Sequence, residues 1–232
     1  MTENFDNPRD VIYINRKKPI VTYIIIALCA VIFLIDQITG KLILGYFNIG
    51  YLSIYGMKIN DAISQGEIWR LITSVFLHAD ARHIGFNMLA LYVWGRHVEA
   101  LYGRRNYIYI FLLAGLLGSL GSYAFSNANG LGASGAVYGV LGAVFYVYLY
   151  NRNFFLKVFR KQTFIYAAIS LAYGFLLPGI DNMAHLFGLA GGFLAAGIFG
   201  LIKQVNKRKD VLFLIIYILI AIVCGVKGYV FT

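Results

Sequence analysis

Residues Gly130–Gly139 read GLGASGAVYG. A single serine, Ser134, stands there among glycines and alanines, and an apolar run to Tyr150 follows at once. Two roles fit a serine at the mouth of such a run. It can cap the helix by accepting a bond from a first-turn N–H. It can also be a nucleophile, because the helix start offers unpaired N–H groups and a positive dipole end to a nearby oxyanion. The rest of the chain has to choose between them.

The chain has 232 residues, 60% of them hydrophobic and 13% charged, with a mean hydropathy of +0.72. That balance is far from the soluble average and predicts an all-α polytopic membrane protein, embedded in the lipid bilayer. The formal charge of +10 does not indicate nucleic acid, because the basic residues fill the gaps between apolar runs. Cys29 and Cys224 lie deep inside apolar runs and read as small buried residues, with no metal or disulfide spacing. The polar start, MTENFDNPRDVIYINRKKP, lacks the basic n-region and cleavage site of a signal peptide, so the first apolar run reads as a retained helix.

Runs of suitable length occur at 19–36, 82–102, 107–126, 133–150, 162–178, 182–202 and 211–231. The second is the most polar. With the N-terminus inside, 15 Lys and Arg residues fall on the cytoplasmic side and 5 on the outer side. Dropping the second helix would put the basic segments RKKP and NRNFFLKVFRK on opposite faces. This orientation predicts a cytoplasmic N-terminus and an outer C-terminus. The segment 37–81 is long for a connection, and its mixed aromatic and apolar content predicts short interfacial pieces. There is no internal repeat of the kind transporters carry, which argues against a small transporter.

Polar groups inside a membrane default to function. His83, Asn87, Ser134 and His185 come from three helices and all lie toward the outer ends. The residues Ala184, Gly188, Gly192, Ala196 and Gly200 recur at spacing four. Gly135, Gly139, Gly142 and Ala143 form a matching stripe after Ser134. If the stripes pack backbone to backbone, Ser134 and His185 meet, and the imidazole can act as general base. The bland alternative is a histidine satisfied by a backbone carbonyl. His83 and Asn87, four apart, share a helix face and could donate to an oxyanion; they could equally be interhelical hydrogen bonds. Tyr138 follows Ser134 by one turn and could stack on the imidazole. Asp181 falls in the loop before His185 and is not assigned to a triad. No HExxH, metal-ligand spacing, P-loop or dinucleotide fingerprint is present. Asp36 and Asp181 sit at helix ends, which disfavours an aspartyl pair.

Five stretches, in order, resemble the rhomboid intramembrane serine proteases: EIWRLITSVFLH at 67–78, HADARHIGFN at 78–87, GRHVEALYG at 95–103, GASG at 132–135 and AHLFGLAGG at 184–192. The resemblance spans roughly residues 19–202. It implies a six-helix core with a site open to water from the outer face. It implies Ser134 as nucleophile and His185 as base, with His83, Asn87 and the Ser134 N–H holding the oxyanion. Tyr138, Gly132 and Gly135 would support the dyad; Trp69, Arg70, Glu99, Gly188 and Gly192 would be structural. Substrates would be transmembrane proteins, and neither a cofactor nor a metal would be needed. The run at 211–231 departs from the minimal pattern and gives a six-plus-one form. The organisation is then a cytoplasmic segment 1–18, a core 19–202, and a linker with a seventh helix over 203–232. A bacterial plasma membrane suits the composition. The sequence leaves the oligomeric state open. The competing reading is a rhomboid-fold binder or chaperone that holds membrane clients without cutting them, although both dyad residues are present.

Overall fold

The computed structural model describes residues 18–44, 50–150, 152–159, 165, 169, 180–200 and 207–231. Among these, ten α-helices follow one another, with no strand beyond an isolated antiparallel bridge between Lys58 and Gly130. Helix α1 (Ile20–Thr39) continues through a π turn to Leu44. Three short helices fill the long connection that follows: α2 (Tyr51–Gly56), α3 (Asn60–Ser64) and α4 (Arg70–Thr73). Helix α5 (Ala81–Ala90) passes through a π turn, Leu91–Gly95, into α6 (Arg96–Phe125). Then come α7 (Ser134–Tyr150), α8 (Arg152–Val158), α9 (Asn182–Phe199) and α10 (Lys207–Phe231). The sequence-based run at 162–178 lies almost wholly outside the described residues.

The continuous helical path from Ala81 to Phe125 covers 45 residues. Straight, it would be about 68 Å long, more than twice the roughly 30 Å hydrocarbon core. It is not straight. Gly103 has φ 77° and ψ 164°, a left-handed backbone that only glycine adopts without strain. The chain reverses there. A Cβ on Gly95 would stand 3.3 Å from Cζ of Tyr107, a residue that a continuous helix would carry a dozen positions away. Gly103 therefore divides the path into two antiparallel spans, in line with the separate runs read at 82–102 and 107–126. Besides this path, Ile20–Ile43, Asn182–Phe199 and Lys209–Phe231 are long and apolar enough to cross a membrane, and Ser134–Tyr150 is apolar but shorter.

The second half of α6 is the hub. It packs on both α7 and α9, and α10 closes against α6 and α9 from outside. Leu101, Tyr102, Tyr107, Ile110 and Phe111 fill the centre. Outward rows stay apolar: Ile24, Leu28, Val31 and Ile35 on α1, and Leu212, Ile215, Leu219 and Ile222 on α10. Exposed rows of this kind belong against lipid.

Buried carboxylates cap neighbouring helices. Helix α1 opens after Pro19 with no side-chain cap of its own. Glu99 supplies one, accepting from Val21 N–H (3.1 Å), Thr22 N–H (2.8 Å) and the Thr22 hydroxyl (2.8 Å). Asp36, near the far end of α1, accepts from Ser53 N–H (2.9 Å) and the Ser53 hydroxyl (2.5 Å) at the start of α2. The three backbone bonds satisfy N–H groups that helix starts leave unpaired.

Candidate active site

Ser134 is the first residue of α7, and the loop before it is pinned by backbone bonds. Gly132 N–H donates to Ser74 O (2.9 Å), and Ala133 N–H donates to His78 Nε2 (3.4 Å). Gly132 has φ 130°, and a Cβ there would lie 2.6 Å from the His83 ring, so both backbone and space require glycine. This turn aims the Ser134 hydroxyl at α9.

The glycine stripes set the approach. A Cβ on Gly188 would meet the Gly135 backbone within 3.0 Å, one on Gly139 would reach Gly188 O at 2.9 Å, and Gly192 faces Gly139. Helix α6 adds a third set that the sequence reading did not include. Gly118 faces Ala184 O at 2.8 Å and the Cα atoms of Gly135 and Gly188 at 3.5 Å, measured from its own would-be Cβ. Its signal was available: Gly115, Gly118 and Gly121 fall on a small-residue face of an otherwise apolar helix.

Ser134 Oγ and His185 Nε2 stand 2.9 Å apart. His185 is buried (8% exposed), whereas Ser134 is half-buried. The Tyr138 ring stacks on the imidazole, with centroids 4.2 Å apart and planes at 28°. His185 Nδ1 has no hydrogen-bond partner among the described residues, so no carboxylate there completes a triad. Stacking and helix packing fix the ring instead. Asp181 has a different position: it is the N-cap of α9, with Oδ1 accepting from Ala184 N–H (3.0 Å) and Oδ2 from the Ser122 hydroxyl.

His83 and Asn87 line the other side. The His83 ring lies over Gly132, next to Ser134. Asn87 is buried and donates one amide hydrogen back to His83 O (2.9 Å), which leaves a second for another acceptor. Asp80 caps their helix, accepting from Arg82 N–H (2.8 Å) and His83 N–H (2.9 Å). Those N–H bonds hold its carboxyl below the usual range. His78, not singled out from sequence, packs edge-on against His83 at 5.2 Å. Burial pushes its imidazole down to about 4, so it is neutral and its Nε2 is free to accept. No group of His, Cys, Asp or Glu able to hold a metal ion occurs among the described residues.

Comparison with known proteins places the chain in a family. A model of the rhomboid domain matches residues 65–202. The chain is 30% identical over 195 residues to YdcA, a rhomboid-named protein of Bacillus subtilis, covering 83% of this chain and 92% of that one. The chain belongs to the rhomboid family. It is also 41% identical over 205 residues to the rhomboid protease GluP of Bacillus subtilis, covering 88% of this chain and 40% of GluP. To RHOMBOID-like protein 1 of Arabidopsis thaliana it is 36% identical over 160 residues, covering 66% of this chain and 41% of that protein. The chain thus spans well under half the length of these last two relatives. As a rhomboid with several spanning helices it is an integral, multi-pass, all-α membrane protein.

The remaining motif residues of this rhomboid lie away from the Ser134–His185 contact. Arg70, 5% exposed, donates to Ile54 O and Met57 O (both 2.9 Å) and pairs with Glu67 at 2.6 Å. Trp69 Nε1 donates to Tyr55 O (3.1 Å). These bonds tie α2 to α4, while Glu99 ties α1 to α6.

Proposed function

We propose that this rhomboid is an intramembrane serine endopeptidase that cleaves transmembrane segments of membrane proteins through Ser134 and His185. The observation that carries the reading is the 2.9 Å contact between Ser134 Oγ and His185 Nε2 at a glycine-lined helix start. His185 Nε2 takes the hydroxyl proton as Oγ attacks the scissile carbonyl carbon. The carbonyl oxygen becomes an oxyanion, received by the Ser134 N–H, His83 and the spare Asn87 N–H. The proton then passes from His185 to the departing amine, the C–N bond breaks, and an acyl ester remains on Ser134. Water gives its proton to His185, its oxygen attacks the ester, and Ser134 recovers its hydrogen as the new carboxyl leaves. Lipid cannot deliver that water. The half-buried Ser134 and His83 are consistent with supply from the outer side.

Further parts of the reading rest on sequence. The positive-inside pattern supports a cytoplasmic N-terminus, an outer C-terminus and a site near the outer face. The core is taken as 19–202, with 203–232 adding the seventh helix. A bacterial plasma membrane is the proposed location, and the chemistry draws on no cofactor.

The test is purified protein in proteoliposomes with a panel of single-span clients bearing small residues near the outer end. Cleavage by wild type and none by Ser134→Ala is expected. Equal cleavage by both moves the activity elsewhere. Clients bound but intact with folded wild type would replace the protease by a binder.

A further inference from the structure

The loop that delivers Ser134 is held by a buried lysine that the chemistry above does not use. Lys58 lies between α2 and α3 and is 1% exposed. Its backbone pairs with Gly130 in both directions, N–H to O at 2.8 Å and O to N–H at 3.0 Å. Its side chain runs beneath the loop, and Nζ donates to Ser126 O (2.9 Å) and Ala128 O (2.8 Å). One residue thus makes four hydrogen bonds to the connection between α6 and Ser134. Asn60, two residues on, adds Nδ2 bonds to Ser126 O (3.1 Å) and Tyr123 O (3.3 Å).

The charge is placed with purpose. Ser126 is the C-cap of α6, so the ammonium sits at the negative end of that helix. Asp181 sits at the positive end of α9 and also binds Ser122 near the end of α6. A Cβ on Gly130 would stand 3.4 Å from Lys58 Cδ and 3.5 Å from Asp181 Oδ2, so the two residues flank Gly130. Burial pushes the Lys58 ammonium down to about 8, and the Asp181 charge opposes that shift. A buried ammonium is expensive unless hydrogen-bonded, and an apolar residue of similar length would take this donor from the Ser126 and Ala128 carbonyls.

We infer that Lys58 and Asp181 are positioning residues: Lys58 fixes the 126–130 loop ahead of Ser134, Asp181 fixes the start of the helix bearing His185, and together they set the Ser134–His185 approach. The inference rests on the reading of those two residues as nucleophile and base. Neither Lys58 nor Asp181 touches the reacting atoms.

The experiment is the rate of fluorophosphonate labelling of purified protein, with kcat and KM for a transmembrane client and a Tm for each variant. Wild type is compared with Lys58→Arg, Lys58→Met and Asp181→Ala, with Ser134→Ala as blank. A small misplacement at a reacting centre slows reaction by about 100-fold. Lys58→Met is therefore expected to lose about 10–100-fold in labelling and in kcat with KM little changed. Lys58→Arg, which keeps charge and donors, restores most of the rate, and Asp181→Ala, which removes both acceptors, resembles Lys58→Met. Wild-type rates in Lys58→Met or Asp181→Ala, or a change confined to KM, overturn the inference and leave the protease reading standing. Should Lys58→Met not fold, Asp181→Ala decides alone. No labelling of folded wild type overturns the reading of Ser134, and this inference with it.

Discussion

At the scale of single residues, the site is a set of small side chains that allow two polar ones to meet. Gly132 is the clearest case, because its φ of 130° and the His83 ring both exclude a Cβ. Gly132→Ala is expected to displace His83 and lower client cleavage at least about tenfold, as loss of an oxyanion donor does; unchanged kcat would contradict the placement of His83. His78 gives a prediction in pH. Its folded imidazole is held near 4, against about 6.5 unfolded. The unfolded chain therefore binds the extra proton between those values, and stability is lost as pH falls from 6.5 toward 4. The ceiling is about 3 kcal/mol. His78→Gln should flatten this part of the Tm–pH curve, and an identical curve in the variant would refute it. Protonation would also turn the Nε2 acceptor of Ala133 N–H into a donor.

Ser134 and His185 are legible in the sequence because each lies beside a stripe with a visible period: spacing four on α9, and glycines at 135 and 139 on α7. Asp181 is legible only as a loop residue. Its capping bond and its bond to Ser122 depend on where α6 ends. Lys58 gives no sequence signal at all, since its partners are main-chain carbonyls some 70 positions away. Pattern reading does not reach such long-range contacts to backbone.

At the scale of elements, close packing of α6, α7 and α9 replaces a water-driven core. Gly188 approaches the Gly135 backbone, which cannot swing aside as a flexible side chain can. Gly188→Val should destabilise by at least about 1–3 kcal/mol and also separate Ser134 from His185. A normal Tm with normal labelling would argue against stripe packing. Helix α10 is a brace. Phe213 packs on Phe193 and Tyr146 and covers Gly197, and Tyr217 donates to Leu113 O (2.9 Å). Phe213→Ala is expected to cost about 1–3 kcal/mol, less than a water-driven core position because lipid offers similar contacts. A Tm equal to wild type would reduce α10 to an appendage. Among the described residues, the long helices were readable from apolar length, and the break at Gly103 from the separate runs at 82–102 and 107–126. The π turns and the capping of α1 by Glu99 were not, because both arise from tertiary contact.

At the scale of the whole molecule, charge and hydropathy carry most of the information. The 15-to-5 division of basic residues fixes an orientation only if the polar second helix crosses. The reversal at Gly103 and the fold-back of Tyr107 onto Gly95 are consistent with that crossing. The orientation is testable because Cys29 and Cys224 are both buried. A cysteine placed at Ala128 should react with an impermeant maleimide from outside intact cells, and one at Arg104 should not. The reverse pattern would invert the topology and move the site to the cytoplasmic face.

The central claim is that Ser134 is a nucleophile activated by His185. The most direct measurement is intact-mass analysis of detergent-purified protein after a fluorophosphonate, on wild type, Ser134→Ala and His185→Ala, with the adduct mapped by peptide. The account predicts one adduct on wild type, at Ser134, none on Ser134→Ala, and at least about 100-fold slower labelling of His185→Ala. An adduct of equal yield on all three, or one mapped to another residue, would contradict it.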